Sequence, residues 1–354
     1  MSEAATIPSV APKSVSTFSI LVDGNKIPEQ YNVLSIMVLT EINRIAKATI
    51  LFQDGSAADQ TFPASNADEF IPGKTIEILA GYRNEEESIF KGMVIKQTIK
   101  IRKDTSVLSV ECRHEAIKMT TKNANSYFHD LSDSDVIEQL CGRNGLSYDG
   151  ESTDLTRKEV VQFNCTDWDF MACRAEENGF WIRTTGSSDI ECNPPDFTQD
   201  PVLTLVYGAT IQELDAEIDA RIQHDVLKAF SWDPAEQVLI EAEAQDPGAP
   251  PVGNIAASDL AESLSTGEYD VRHSGLNSEE LQKWADSLMQ KHRLAKIRGT
   301  VKIHGVETPQ PGKMCELQNV GERFEGKVMI TGVRHHIEKS NWQTFIQFGD
   351  SPLR

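Results

Sequence analysis

No stretch of this 354-residue chain approaches the ~20 consecutive apolar residues that a membrane-spanning helix requires. The first residues, Met1 to Phe18, also lack the charged segment and following apolar core of a secretory signal. Together these absences predict a chain made in the cytosol and soluble there, with no membrane insertion. Positive charge is scarce as well: 34 Lys and Arg stand against 54 Asp and Glu, a net charge of -20. Binding to nucleic acid through phosphate neutralisation is thereby disfavoured, and no local basic patch offsets the balance. The six cysteines, Cys112, Cys141, Cys165, Cys173, Cys192 and Cys315, form no C-x-x-C pair and no zinc spacing. In a reducing compartment such residues are expected as small buried thiols. Aromatic residues are 7% of the chain and fall mostly within apolar segments, which argues against a carbohydrate-binding or receptor-binding module built on exposed rings.

Motifs that carry chemistry are missing too. There is no H-E-x-x-H, no phosphate-binding G-x-x-x-x-G-K-[ST] and no G-x-S-x-G elbow. His335 and His336 are adjacent within an expected strand, so their side chains point to opposite faces and do not share a metal directly. The carboxylate pair Glu176-Glu177 reads as a solvated helix face in a chain so rich in acidic residues. Tyr148-Asp149-Gly150-Glu151 superficially resembles a calcium loop, but the ligand order and the terminal bidentate Glu are absent, and a turn is expected. Accordingly no catalytic residue, no cofactor-binding residue, no metal ligand and no cofactor is expected.

What is present is core-forming material: 39% of residues are apolar, enough for two or three domains. Residues 1–13 are rich in Ala, Ser and Pro without periodicity and read as a flexible arm, with order beginning near Ser14. From Val15 to Cys112 short β-type segments (Val33 to Val38, Ala48 to Phe52, Thr75 to Leu79) are separated by Asp-Gly, Pro-Gly or Gly-Tyr breaks, the rhythm of a sandwich or small barrel. Three helices follow from their starts. Ser132 caps the first, with Asp135 three residues on, Leu131 facing Val136 and a left-handed exit at Gly145. Thr166 caps the second, with Asp169 at the third position, Cys165 facing Phe170 and Gly179 closing it. Asn277 and Glu280 form the capping box of the third, whose stripe of Leu281, Trp284, Ala285, Leu288 and Ala295 is expected to pack into a core. The segment 246–254, Asp-Pro-Gly-Ala-Pro-Pro-Val-Gly-Asn, continues neither a helix nor a central strand and reads as a linker or surface insertion.

Two distant segments resemble each other. Pro72-Gly73-Lys74-Thr75-Ile76-Glu77-Ile78 matches Pro311-Gly312-Lys313-Met314-Cys315-Glu316-Leu317, and Phe-x-Gly-x-Val recurs as Phe90, Gly92, Val94 and as Phe324, Gly326, Val328. Each copy then runs into a further strand, Ser106 to Cys112 and Trp342 to Phe348. Each motif alone is common in β-proteins, but their recurrence in one order predicts two homologous β-barrels, in which Phe90 overlays Phe324.

A family resemblance rests on particular residues. The segment from Glu159 to Trp181 looks like a signature of the VgrG family, with Gln162, Asp167, Phe170, Arg174, Glu177 and Gly179 in the matching places and Cys165-Thr166 where Glu-Ser is usual. Leu131 to Ile137, with the exit Gly145-Leu146, resembles the family's helix start. The stretch from Gly299 to Gly349 is similar to its closing barrel, including Val333-x-His335-His336 and Trp342-x-Thr344. The matches reach from about Phe90 to the end. The family comprises type VI secretion spikes, their counterparts in extracellular contractile injection systems, and late-control phage tail proteins.

The resemblance implies a mainly β fold with inserted helices (α+β), with two homologous tube-like β-barrels per chain like those of a baseplate hub. The expected division is an arm at 1–13, a first barrel at 14–112, an inserted α/β segment at 113–200, a connecting and helical segment at 201–297, a second barrel at 298–349 and a tail at 350–354. It further implies a homotrimer whose three pairs of barrels adapt a six-fold tube to a three-fold spike. The implied partners are other copies, a hexameric inner-tube protein, a spike or spike-tip protein and other baseplate proteins. The implied location is the bacterial cytoplasm during assembly and then a tail-like particle. Family spikes continue into an OB-type domain and a β-needle beyond the position of Ser351-Pro-Leu-Arg354, so either the spike is encoded separately or this sequence is part of a longer one. A tail-associated cell-wall hydrolase and a carbohydrate- or receptor-binding module are the alternatives.

Overall fold

The computed structural model describes residues 15–56, 60–83, 85–102, 105–234, 236–339 and 341–350. The expected arm at 1–13 lies outside them, as does the expected tail at 350–354 apart from Asp350. The N-terminal strands are β1 (Ser16–Val22), β2 (Asn25–Lys26), β3 (Asn32–Glu41), β4 (Lys47–Gln53), β5 (Thr75–Tyr82), β6 (Glu85–Ile101) and β7 (Ser106–Arg113). They form where the expected β segments stand, because alternate side chains find one core. In β4, for example, Ala48, Ile50 and Phe52 are fully buried while their neighbours are not. Phe52 and Phe70 pack with ring centroids 4.6 Å apart at the centre of this core.

A middle segment follows: β8 (Asn123–Ser132), α1 (Asp133–Arg143), β9 (Ser147–Gly150), β10 (Thr156–Thr166), α2 (Asp167–Glu177), β11 (Trp181–Thr185) and β12 (Asp189–Asn193). The cap of α1 is the expected one: Ser132 Oγ accepts from Asp135 N, and Ser132 N donates to Asp135 Oδ2. At the start of α2, Thr166 Oγ1 accepts from Asp169 N, and both Gly145 and Gly179 take the left-handed conformation at the exits. Tyr148 to Gly150 is no turn. It is the strand β9, paired parallel to β12, because Ile190 and Cys192 on β12 are buried in the same core as Leu140 and Leu146.

The rest comprises β13 (Leu203–Val206), β14 (Glu213–Ile218), β15 (Val226–Asp233), β16 (Val238–Glu243), α3 (Ala257–Leu264), β17 (Glu268–Arg272), α4 (Ser278–Leu294), β18 (Ile297–His304), β19 (Met314–Gln318), β20 (Gly326–Glu338) and β21 (Asn341–Phe348). Asn277 caps α4, whose Leu281 and Ala285 enter a core with Leu227 and Ala229 of β15, Trp284 and Leu288 packing against it. Residues 246–254 carry no helix or strand. Segment 201–297, expected as connecting and helical, also holds α3 and five strands: β15, β16 and β17 form a sheet of their own, while β13 and β14 join β19 and β18.

The fold is mainly β, as expected, and the two end sheets share a strand order. The first runs β1-β5-β6-β7-β4-β3 and the second β13-β19-β20-β21-β18-β14; β3 pairs with β20, so both belong to one 13-stranded sheet. Among the described strand pairings none closes either sheet on itself. The likeness extends to fine detail. Gly73 N donates to Val94 O and Val94 N to Lys74 O; Gly312 N donates to Ile330 O and Ile330 N to Lys313 O. Val94 pairs with Cys112 and Ile330 with Phe348, and each ladder then carries a bulge at the next residue.

This register corrects one expectation. Phe90 lies opposite Ile78, and its counterpart opposite Leu317 is Gly326. Phe90 therefore corresponds to Gly326 and not to Phe324, which sits in the turn before β20. The Phe-x-Gly-x-Val match is displaced by two residues, a shift that preserves the face and so leaves the hydrophobic alternation intact. A second difference is that β1 meets β5 antiparallel whereas β13 meets β19 parallel.

Candidate functional site

The contact between the two sheets is the first place where duplication produces something new. Residues Ser35–Glu41 of β3 pair antiparallel with Gly332–Glu338 of β20. The inward residues, Ile36 and Val38 from one side and Val333, His335 and Ile337 from the other, are all buried. The buried Trp342 stacks on Tyr82 at 5.7 Å, and Tyr82 Oη donates to Gly305 O at 3.1 Å, tying the first sheet to the second. His335 belongs to this junction. Its Nδ1 lies 3.0 Å from Thr344 Oγ1 and 3.4 Å from the donating Trp342 Nε1, and burial lowers its pKa to about 4. His336 is on the opposite face, 3.8 Å from Glu338.

Residues of the VgrG-like signature form two polar networks that hold the middle segment. In one, Arg143 Nε donates to Asp167 Oδ2 at 2.7 Å, Asn144 Nδ2 donates to the same oxygen at 2.7 Å, and Gln162 Nε2 donates to Asp167 Oδ1 at 2.9 Å. Burial opposes the charge of Asp167, but these donors outweigh it and its pKa is lowered. In the other, Arg157 reaches Asp133, Glu177 and Glu280 at 2.9, 2.8 and 3.0 Å, while Arg174 pairs with Glu177. Burial works against the Arg157 cation, yet Asp133 and Glu177 raise its pKa above the usual value. Phe170 stacks beneath Arg174 and beside Phe128. The signature is thus a fastening of α1, α2, β10 and α4.

The carboxylates Glu176 and Glu177 do not act as a pair. Glu176 turns to Lys291, while Glu177 is taken up by Arg157 and Arg174. A cleft of about 690 Å³ contains Glu176, Glu217, Lys291 and Arg298, with Arg298 paired to Glu217 and Lys291 to Glu176, and Asp215 also lines it. Among the described residues no group of three or more His, Cys, Asp or Glu is placed to hold a metal. Also among the described residues, no helix is long and apolar enough to cross a membrane. Of the cysteines, Cys112, Cys141, Cys192 and Cys315 are buried and burial pushes each thiol up to about 12, whereas Cys173 is exposed.

The features that sequence reasoning missed are two strand edges. Among the described strands, β14 has β18 as its only neighbour. The far half of β6 has β7 on one side, but β5 reaches only to Met93, so no described strand pairs with Lys96–Ile101 on the other. Open edges invite another strand. The signal was present as two alternating runs, Lys96-Gln-Thr-Ile-Lys100-Ile-Arg102 and Glu213-Leu-Asp215-Ala-Glu217.

A family model described as the Alg8 N-terminal domain matches residues 12–339. No curated protein sequence matches. The fold is shared with a tail protein from Neisseria meningitidis, at 13% identity over 95% of this chain and 97% of that one, with a TM-score of 0.71. A 43 kDa tail protein of prophage MuSo2 from Shewanella oneidensis matches at 10% identity, covering 95% and 98% of the two chains, with a TM-score of 0.69. An Escherichia coli component of the type VI secretion system, described as structurally similar to T4 bacteriophage tail proteins, matches at 12% identity over 94% of this chain and 76% of that one, with a TM-score of 0.60.

Proposed function

The chain belongs to the Alg8 N-terminal domain family, and from its tail-protein fold and internal duplication we propose that it is a structural hub of a contractile injection system or phage-like tail. In this reading it forms a homotrimer that adapts a six-fold tube to a three-fold spike. The observation that carries the reading is the repeated ladder, in which strand order, Pro-Gly turn and bulge recur in both end sheets. Three copies then present six similar sheets toward a hexameric tube, while the middle segment, which occurs once per chain, keeps true three-fold symmetry on the other side. The partners are further copies of the chain, the tube protein, a spike or spike-tip protein and other baseplate proteins. The work is geometric and not enzymatic, and the engagement of Glu176 by Lys291 and of Glu177 by Arg157 and Arg174 supports that side of the proposal.

The deciding experiment is the mass of the purified chain in solution. Three times the mass of one chain is the expected result; a strict monomer or a dimer over the whole accessible concentration range refutes the trimeric hub. Incubation with peptidoglycan is expected to give no turnover above buffer, and turnover abolished by a single side-chain replacement would establish the hydrolase instead.

A further inference from the structure

The in-chain junction of β3 with β20 serves as a template for the two open edges. The shared register makes Lys96–Arg102 of the first sheet the counterpart of Gly332–Glu338, and 213–219 of the second sheet the counterpart of Ser35–Glu41. In one chain, Gly332–Glu338 is covered by Ser35–Glu41. Among the described strands, the counterparts of both segments have no neighbour on that side. Their inward residues show the consequence: Ile99 and Ile101 are 44% and 65% exposed, whereas their equivalents His335 and Ile337 are 4% and 2% exposed.

We propose that the Lys96–Arg102 edge of one copy pairs antiparallel with β14 of a second copy, reproducing between chains the junction that β3 and β20 make within one. This rests on the trimeric hub reading and supplies its contact. Transferring the template register sets Ile99 opposite Ala216 and Ile101 opposite Leu214 on the inner face. On the outer face it sets Lys100 opposite Asp215 and Arg102 opposite Glu213. At these four pairs the register matches apolar to apolar and cation to anion, with Gln97 falling opposite Ile218, and a slip of one residue destroys both matches at once. The acidic edge is already partly served within the chain, since Lys302 reaches Glu213 and Arg298 reaches Glu217. Asp215 has no ion-pair partner among the described residues and is the anion that the incoming Lys100 completes. Because the two edges differ, the contact is head-to-tail and closes as a ring. Three copies then contain six like junctions, three within chains and three between them.

Two measurements test the register. Chains carrying Ile99→Cys and Ala216→Cys separately, each with Cys173→Ser to remove the exposed thiol, are co-expressed with different tags and oxidised. A disulfide-linked pair bearing both tags is expected from the mixture, and no linked species from either chain alone. Lys100→Glu is expected to raise the concentration of half-assembly roughly tenfold or more, since like charges then face each other at every inter-chain junction. Adding Asp215→Lys to the same chain restores assembly, which a merely misfolded variant would not do. A trimer by mass that neither cross-links nor responds to Lys100→Glu overturns this junction and leaves the hub reading standing. A wild-type chain that remains monomeric overturns both.

Discussion

Arg157 grips Asp133 through one nitrogen, Nε lying 3.1 and 2.9 Å from the two carboxylate oxygens, with the Asp133 side chain only 1% exposed. Neither partner is placed for chemistry. Asp133 opens α1, Arg157 lies on β10, and the same guanidinium reaches Glu177 on α2 and Glu280 on α4, so four elements meet at one cation. Removing it strands several carboxylates away from water. Arg157→Met is expected to destabilise the chain by about 3–5 kcal/mol, the usual cost of breaking a buried pair from one side. Chemical denaturation checks it, and a loss below ~1 kcal/mol would show that Arg174 and Asn178, which also reach Asp133 at 3.8 and 2.8 Å, suffice.

A buried neutral histidine makes stability depend on pH. His335 titrates at about 4 in the folded chain because burial disfavours its charged form, against 6.5 unperturbed, and burial lowers His292 to about 4 as well, with His224 and Arg293 adding repulsion. Between these values the unfolded chain binds more protons than the folded one. Stability is therefore complete above pH ~6.5 and falls as the pH drops toward 4, by up to ~3 kcal/mol for each ring. Denaturation midpoints from pH 8 to 4 should fall along this limb in wild type and less steeply in His335→Gln.

Gly92 is required by proximity, not by backbone angle. A β-carbon there would stand 2.3 Å from the carbonyl oxygen of Arg113, across the ladder beside the bulge. Its counterpart in the second sheet is Val328. Gly92→Ala is expected to cost about 1–3 kcal/mol, measured as a lower thermal midpoint, and an unchanged midpoint would disprove the close approach.

Thiol reactivity should separate the cysteines. Cys173 is exposed, and the four buried thiols are both shielded and raised to about 12. A small alkylating reagent at neutral pH is expected to label Cys173 first in the native chain, and Cys173→Ser should remove that fast phase. Fast labelling of Cys112 or Cys315 would contradict the burial described.

Helix starts were readable because a cap is a local device: Ser132, Thr166 and Asn277 satisfy backbone donors two or three residues away, and no distant contact is needed to recognise them. The duplication was readable for a related reason, since a Pro-Gly turn carries its own conformational preference. Its register was not. A shift of two residues keeps every side chain on its face, so alternation alone left Phe90 matched to Phe324, and only the hydrogen bonds from Gly73 and Gly312 showed that Phe90 answers to Gly326. The strand β9 was hidden because Tyr148-Asp149-Gly150 has turn composition; its partner β12 lies forty residues downstream, and parallel pairing leaves no local mark.

The amino-acid sequence by itself determined where α1, α2 and α4 begin, that the fold is mainly β and that its ends repeat. These properties depend on interactions within a few residues or on comparison of one segment with another. Tertiary structure alone decided that β13 and β14 leave the connecting segment to complete the second sheet, that Glu176 and Glu177 serve different networks, and that β3 covers β20 while the equivalent edges of β6 and β14 stay open. Those outcomes depend on which distant strand reaches an edge first and buries its apolar face, and the sequence pattern of a strand states what it can pair with but not which partner arrives.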